Sequence, residues 1–426
     1  MEMQYNPTLH KLSNGVTVIL DPMDLETVNV KVLFRTGVRD ENPSEYGLTH
    51  FCEHMLCKGT RRFPSQRLMD DFLDYNGGVT NASTGQASMA LYGRIIANNI
   101  NVLIEQIGER LQSSLFAPEK IDTERTVIID EWRRALDNPQ YKLRDFISDK
   151  LFSGALFSTR AFGTEENIMS FTREQMMEFL HRRLSALNCI ICVSGKINDA
   201  DRVLAVLEKT FSFLPRTDVS ENMELDYTPA IAHKLNKNNQ NVKLRIFFPD
   251  ICGNNYEDRF QSMCLGKFDK YMLEQLKEVV RRENGLVYGF GQSSVGNEKF
   301  NLTGFATETS AENISRVVAL TAKTVHHVYN NCPFSDSDLE RFARRNKLSQ
   351  ADWLESASSR CDRLISTYRD HGKIYDFYGD IKMSESIRRD DVVRYSRGYF
   401  DGPMSIITYG ANFDANLNEI WHDNFK

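Results

Sequence analysis

Apolar and polar positions along the chain follow two periods. Val16-Thr17-Val18-Ile19-Leu20 comes after the turn signal Ser13-Asn14-Gly15, and Val28 to Phe34 alternates in part, so both segments predict strands. Over 47–57 apolar groups recur at helical spacing, and a second helix is predicted over Gln66–Tyr75, closed by Asn76-Gly77-Gly78. Residues 81–94 predict two strands that turn at Gly85. Helices are expected over 99–115, 118–136, 139–153 and 172–183, the second opening on Pro118. A strand over 188–194 and a helix over 198–210 close this half.

The pattern breaks over 216–239, which is polar and irregular and reads as a linker. Strand periodicity resumes at 242–248, a long helix is expected over 256–282, and strands near 287–293 and 299–307 follow. Helices over 311–331, 335–349, 353–369 and 384–399 and a strand over 404–409 complete the series. Each half opens with strands, passes through helices and ends on a strand followed by a helix. This order predicts an α+β chain of two similar domains, 1–215 and 240–426, related by duplication.

Composition narrows the function classes. The 426 residues carry 52 Lys+Arg against 58 Asp+Glu, a net charge of −6, which argues against nucleic acid as a main partner. No apolar run approaches the ~18 residues that span a bilayer, so no membrane partner is expected. Met1 to Pro7 shows neither the basic nor the apolar region of a signal peptide. Together with eight cysteines in ordinary usage, this reads as a cytoplasmic protein with reduced thiols. The Cys189/Cys192 pair lies in an apolar run with no second such pair, and it reads as core packing or as an isolated redox or metal motif.

The chemistry-bearing pattern is His50-Phe51-Cys52-Glu53-His54. On a helix, positions i and i+4 share a face, so His50 and His54 can hold one metal ion, with Glu53 beside them. Two imidazoles and a close carboxylate form the site of a zinc hydrolase, in which the carboxylate takes a proton from water. The order H-x-x-E-H inverts the commoner H-E-x-x-H. The alternative is two surface histidines on a solvated helix. A catalytic site needs a third protein ligand. Glu124 and Glu131, seven residues apart in the 118–136 helix, share a face with Val127 and Ile128 between them. On spacing alone they read as solvated charges more readily than as ligands.

Gly47 to Thr60 (GLTHFCEHMLCKGT) resembles the zinc helix and following turn of the pitrilysin/insulinase-type zinc peptidases. The similarity is greatest to the half-length branch of bacterial processing-type peptidases and the mitochondrial processing peptidase. The family's third ligand follows a gap of about 76 residues, and 76 residues separate His54 from Glu131. The resemblance therefore implies Zn²⁺ held by His50, His54 and Glu131, with Glu53 as general base and Glu124 as a supporting acid. Asn81-Ala82-Ser83-Thr84 is similar to the family's edge-strand segment, which implies that peptide substrate adds there as a strand. Without the resemblance, Asn81 is equally a turn residue. Arg281-Arg282-Glu283-Asn284-Gly285-Leu286-Val287-Tyr288 is similar to the family's R-x-x-x-G-L-x-Y segment. It implies that Arg281 and Tyr288 face the zinc from the C-terminal domain; otherwise they are a surface arginine and a strand tyrosine.

The family implies mostly antiparallel sheets flanked by helices, forming half of a clamshell, and a zinc endopeptidase that takes peptides or unfolded segments into a closed cavity. Four such domains build the cavity, so a homodimer is expected, or a heterodimer with a related subunit. The alternative is a non-catalytic scaffold or core subunit of a peptidase-like heterodimer. Two departures stand out. Cysteines occupy 52 and 57, where relatives often carry aliphatic or aromatic groups, and a thiol at 52 would make the site oxidation-sensitive. Trp132-Arg133-Arg134 follows Glu131, where relatives that cut basic presequences often carry acids, so a basic substrate preference is not implied.

Overall fold

A computed structural model describes residues 5–153, 162–221, 225–251, 259–297 and 299–426. The chain forms two compact units. The first contains the described residues of 1–142, 155–222 and 351–375; the second contains those of 143–154, 223–350 and 376–426.

The first unit is built on a six-stranded sheet. Across it the strands run Thr8–Lys11, Thr17–Pro22, Cys189–Gly195, Thr27–Phe34, Met89–Ile96 and Gly78–Thr84. All pairs are antiparallel except Thr17–Pro22 with Cys189–Gly195. Every residue of Cys189–Gly195 is buried, as a central strand covered on both faces requires. On one face Val28, Val30, Val32 and Phe34 pack with apolar groups of the helices Leu48–Met55, Ile100–Ser113 and Ala200–Phe211.

The opposite face is covered in part by the helix Ala357–His371, which comes from late in the chain. Arg360 of this helix is 2% exposed and pairs with Asp21, which is fully buried. Arg360 Nε lies 2.7 Å from Asp21 Oδ2, Ser194 Oγ donates to the same oxygen at 2.6 Å, and the Tyr5 ring lies 5.0 Å from the guanidinium. Two residues further on, Asp362 meets Lys31 Nζ at 2.6 Å. Two charges out of water are tolerable only because each is paired and hydrogen-bonded.

The second unit repeats the plan. Its strands run Phe290–Gly296, Asn301–Ser310, Asn241–Pro249, Ser405–Gly410 and Ile231–Leu235. Again one pair is parallel, Ser405–Gly410 with Ile231–Leu235. Strand for strand, this is the order of the first sheet without Thr8–Lys11, read from the other end. The α+β class with two similar, mostly antiparallel domains is therefore what the chain adopts. Its core joins Val242, Leu244 and Ile246 to the helices Arg259–Leu276 and Ile314–Asn331.

Some expectations differ in detail. The region read as a linker contains the strand Ile231–Leu235, whose exposed edge position leaves it without an apolar signature. Residues 351–375 and 143–154 each pack with the other half of the chain from the one their sequence position suggests. The helix expected over 384–399 is two helices, Phe377–Ser386 and Arg389–Tyr395, because the Asp391 carboxylate accepts from the Arg388 amide and starts a new helix. The start of the helix expected at 256 lies outside the described residues.

Removing one member of a buried pair strands the other charge. Arg360→Ala is expected to lower stability by about 3–5 kcal/mol, whereas Asp21→Leu with Arg360→Met recovers most of the loss. Urea titration checks this, and a single-variant loss below about 1 kcal/mol would contradict it.

Candidate metal and active site

Leu48, Phe51, Cys52 and Met55 of the helix Leu48–Met55 are 0–3% exposed. Their i, i+3, i+4, i+7 spacing turns one face to the core and leaves His50, Glu53 and His54 on the other. Gly47 starts the helix at φ +94, and an added Cβ would meet Phe162 O and Gly163 Cα at 2.7 Å. Only glycine meets both demands. The buried Glu41 accepts hydrogen bonds from the backbone amides of Gly47 at 2.9 Å and Thr49 at 2.7 Å, satisfying amides that the first turn leaves free.

Across from this helix runs Pro118–Asp137, with Ile121, Glu124, Ile128, Ile129 and Ala135 buried. It brings Glu131 Oε2 to 3.7 Å from both His50 Nε2 and His54 Nε2. Two imidazole nitrogens and one carboxylate oxygen thus converge on one point. Glu124, one heptad earlier and 4% exposed, lies 2.9 Å from His54 Nδ1. A carboxylate only accepts, so Nδ1 carries the proton and Nε2 is left with its lone pair toward Glu131. The other oxygen of Glu124 is 2.8 Å from Lys58 Nζ. His50 Nδ1 is buried with no hydrogen-bond partner among the described residues.

Burial and charge set the protonation states. Burial, aided by His54, pushes His50 down to about 3, so its ring is neutral. Burial also acts against charge on His54, but its hydrogen bond to Glu124 and the charges of Glu53, Glu131 and Glu124 hold it above its usual value. Burial raises the Glu53 carboxyl, opposed by His54 and by the Thr84 hydroxyl, which donates to Oε2 at 3.3 Å. Glu124 is held low because His54 and Lys58 outweigh its burial. A proton acceptor shifted toward neutrality beside two imidazoles is suited to acid–base work.

Glu53 and His54 open into a cavity of about 400 Å³ that also meets Cys57, Lys58, Asp70, Arg110 and the edge strand Gly78–Thr84. Arg110, 3% exposed, donates to Thr80 Oγ1 at 2.6 Å and lies 3.4 Å from Cys57 Sγ. Asn81 is exposed and Ala82 buried on that strand, whose outer edge pairs with no described strand. Arg281 and Tyr288 lie in the second unit, where the guanidinium sits 5.2 Å from the Tyr288 ring, which is 90% exposed.

Cys52 faces the core. Its thiol is fully buried, its pKa is pushed well up by that burial, and Sγ donates to Met176 O at 3.8 Å. An inaccessible thiol held neutral is a poor target for peroxide, so the oxidation-sensitive site expected at 52 does not follow. Sequence reasoning passed over Glu41, Lys58 and Thr84. Of these only Glu41 carried a signal, as an acid shortly before a helix start.

Two histidines and a glutamate on one helix, with an acid from a second helix opposite, are the residue set of the inverted-motif zinc hydrolases. The chain belongs to the insulinase family, peptidase family M16: the model described as "Insulinase (Peptidase family M16)" matches residues 17–164, and that described as "Peptidase M16 inactive domain" matches 170–346. An uncharacterized zinc protease of Rickettsia bellii is 24% identical over 412 residues, covering 96% of this chain and 99% of the relative. The mitochondrial-processing peptidase subunit beta of Dictyostelium discoideum is 30% identical over 217 residues, 50% of this chain and 45% of the relative. In fold, the chain is similar to a crystal structure titled as a peptidase M16 inactive domain from Pseudomonas fluorescens. The TM-score is 0.83 at 14% identity, over 96% of this chain and 99% of that one.

Burial pushes Glu41 up to about 8, against the hydrogen bonds from Thr49 and Gly47 that favour its charged form. The folded chain then binds a proton at Glu41 that the unfolded chain, with a pKa near ~4.3, releases. This contribution is present below that pH and is lost as pH rises toward 8. Glu41→Gln is expected to flatten the fall in urea midpoint between pH 5 and pH 8 relative to wild type. Parallel slopes for the two proteins would contradict the assignment.

Proposed function

We propose that the chain is a zinc metalloendopeptidase acting on peptides or unfolded segments. The observation that carries this reading is the convergence of His50 Nε2 and His54 Nε2 on one oxygen of Glu131, 3.7 Å from each. The set fits zinc: one ring is held neutral by burial, the other is oriented through its protonated Nδ1 by Glu124, and the third donor is a half-exposed carboxylate. When bound there, zinc supplies Lewis-acid polarisation at the point where the peptide carbonyl and attacking water meet.

Glu53 accepts a proton from the attacking water and delivers it to the leaving amine. Its raised pKa brings both halves of that transfer within reach. Lys58 and Glu124 keep the His54 ring in one orientation through the cycle. The unpaired edge of Gly78–Thr84 receives substrate as an added strand, with Asn81 and Ala82 supplying main-chain partners. Arg281 and Tyr288 are candidate substrate contacts on the family resemblance. A dimer, with a second copy or a related subunit, is part of this reading. So is a cytoplasmic location.

A non-catalytic core subunit is the second reading, favoured by the family description of the 170–346 match as an inactive domain. The complete donor set and general base in the first unit speak against it.

Metal analysis with cleavage of a quenched fluorescent peptide separates the two. Wild type is expected to hold zinc and cleave. Glu53→Gln should keep zinc and lose about 10²–10⁴-fold in kcat/KM. His54→Ala and Glu131→Gln should lose the metal, and Glu124→Ala should weaken it by about 10–100-fold. A zinc-free, inactive wild type, alone and with any co-purifying subunit, would overturn the proposal.

A further inference from the structure

A second cavity, of about 1000 Å³, lies in the first unit on the other face of the sheet, between the edge strand and residues 355–362. The edge strand links the two cavities through its alternation. Thr80 and Thr84 point to the metal-helix side, where they meet Arg110 and Glu53, and Ala82 joins the core there. Val79, Asn81 and Ser83 therefore alternate to the opposite side, and all three line the large cavity; at the strand's open edge Val79 and Asn81 also border the smaller cavity, and Thr80 borders both.

A strand added beside Gly78–Thr84 inherits the same alternation. Half of its side chains face the metal helix and the other half enter the large cavity. Register fixes what those side chains meet. Asn81 stands opposite Tyr92, which stands opposite Lys31; Val79 stands opposite Arg94, which stands opposite Asn29. Lys31 is neutralised by Asp362 at 2.6 Å and lies over the Tyr92 ring. Arg94 is exposed and has no ion pair among the described residues. Two strand spacings, about 10 Å, separate its Cα from that of an added residue level with Val79. An arginine and an acidic side chain together span that distance across Val79, which is 66% exposed and leaves the path open.

The geometry points to Arg94 as a specificity residue: the cavity accepts alternate side chains of a bound peptide and selects an acidic one at the position level with Val79. This rests on the strand-addition reading of the active site. Glu355, on the wall formed by 355–362, is the other lining charge with no ion pair among the described residues.

The test uses fluorescein-labelled dodecapeptides that carry Glu, Ala or Lys at one position at a time around a fixed cleavage sequence. Binding is read by anisotropy on the full-length Glu53→Gln protein, and kcat/KM on wild type. One position is expected to favour Glu over Lys by about tenfold, the scale of a charged hydrogen bond in a half-enclosed site. Arg94→Ala should abolish that preference while leaving the all-Ala peptide within about twofold, and Arg94→Glu should reverse it. Unchanged discrimination in both Arg94 variants overturns the inference even if cleavage is intact. Arg94-dependent binding without any wild-type cleavage upholds the cavity assignment and instead defeats the peptidase reading.

Discussion

The site depends on one packing constraint: the eight-residue helix Leu48–Met55 must bury one face completely. Phe51, Cys52 and Met55 have no exposure at all, so the helix has no rotational freedom about its axis. That fixes where His50, Glu53 and His54 point. A helix this short has little intrinsic stability, and its first turn is secured from outside by the Glu41 carboxyl oxygens and by a glycine whose left-handed conformation brings the chain against Phe162 and Gly163. The histidine geometry is therefore a consequence of core packing, and the functional side chains need supply none of the energy that positions them.

The acids opposite show how two similar residues acquire different tasks from depth alone. Glu124 and Glu131 lie on one stripe of one helix. Glu124 is 4% exposed, and at that depth its charge is tolerable only because Lys58 and His54 surround it. Glu131, with its side chain 37% exposed, retains a free oxygen between the two histidines. The deeper acid orients a ring and the shallower one stays available. The same division holds for the thiols, since Cys52 is sealed in the core while Cys57 touches Arg110 at the cavity wall.

Local periodicity made much of this legible. The motif helix, the Gln66–Tyr75 helix and the central strands follow from spacing because each buries a full face. Glu131 was singled out by the family's gap and not by its helix, which is charged on most sides. What stayed hidden was tertiary. The amphipathic pattern of Ala357–His371 says that it packs, but not on which sheet; the partner is decided by Asp21, more than three hundred residues away. Ile231–Leu235 escaped notice because an exposed edge strand needs no apolar face. Glu41 stands outside every element the periodicity predicts, and its role depends on the left-handed backbone at Gly47, which no periodicity encodes.

The repeated topology explains why the chemistry can be confined to one unit. The two sheets share five strands in the same order, so fold stability does not require the histidine motif. Among the described residues, the cluster of His50, Glu53 and His54, with Glu131 opposite the two rings, lies in the first unit. In the second unit, the helix Arg259–Leu276 also carries buried polar groups, but each is satisfied internally. Lys267 donates to Leu339 O at 3.1 Å, and Asp269 accepts from the Tyr399 hydroxyl at 2.7 Å. Such closed networks hold elements together and leave no lone pair for a ligand. In the first unit the equivalent polarity is left open on one side, at the His50 and His54 nitrogens and the Glu131 oxygen. That openness, on a scaffold whose twin does without it, is what distinguishes the first unit from the second.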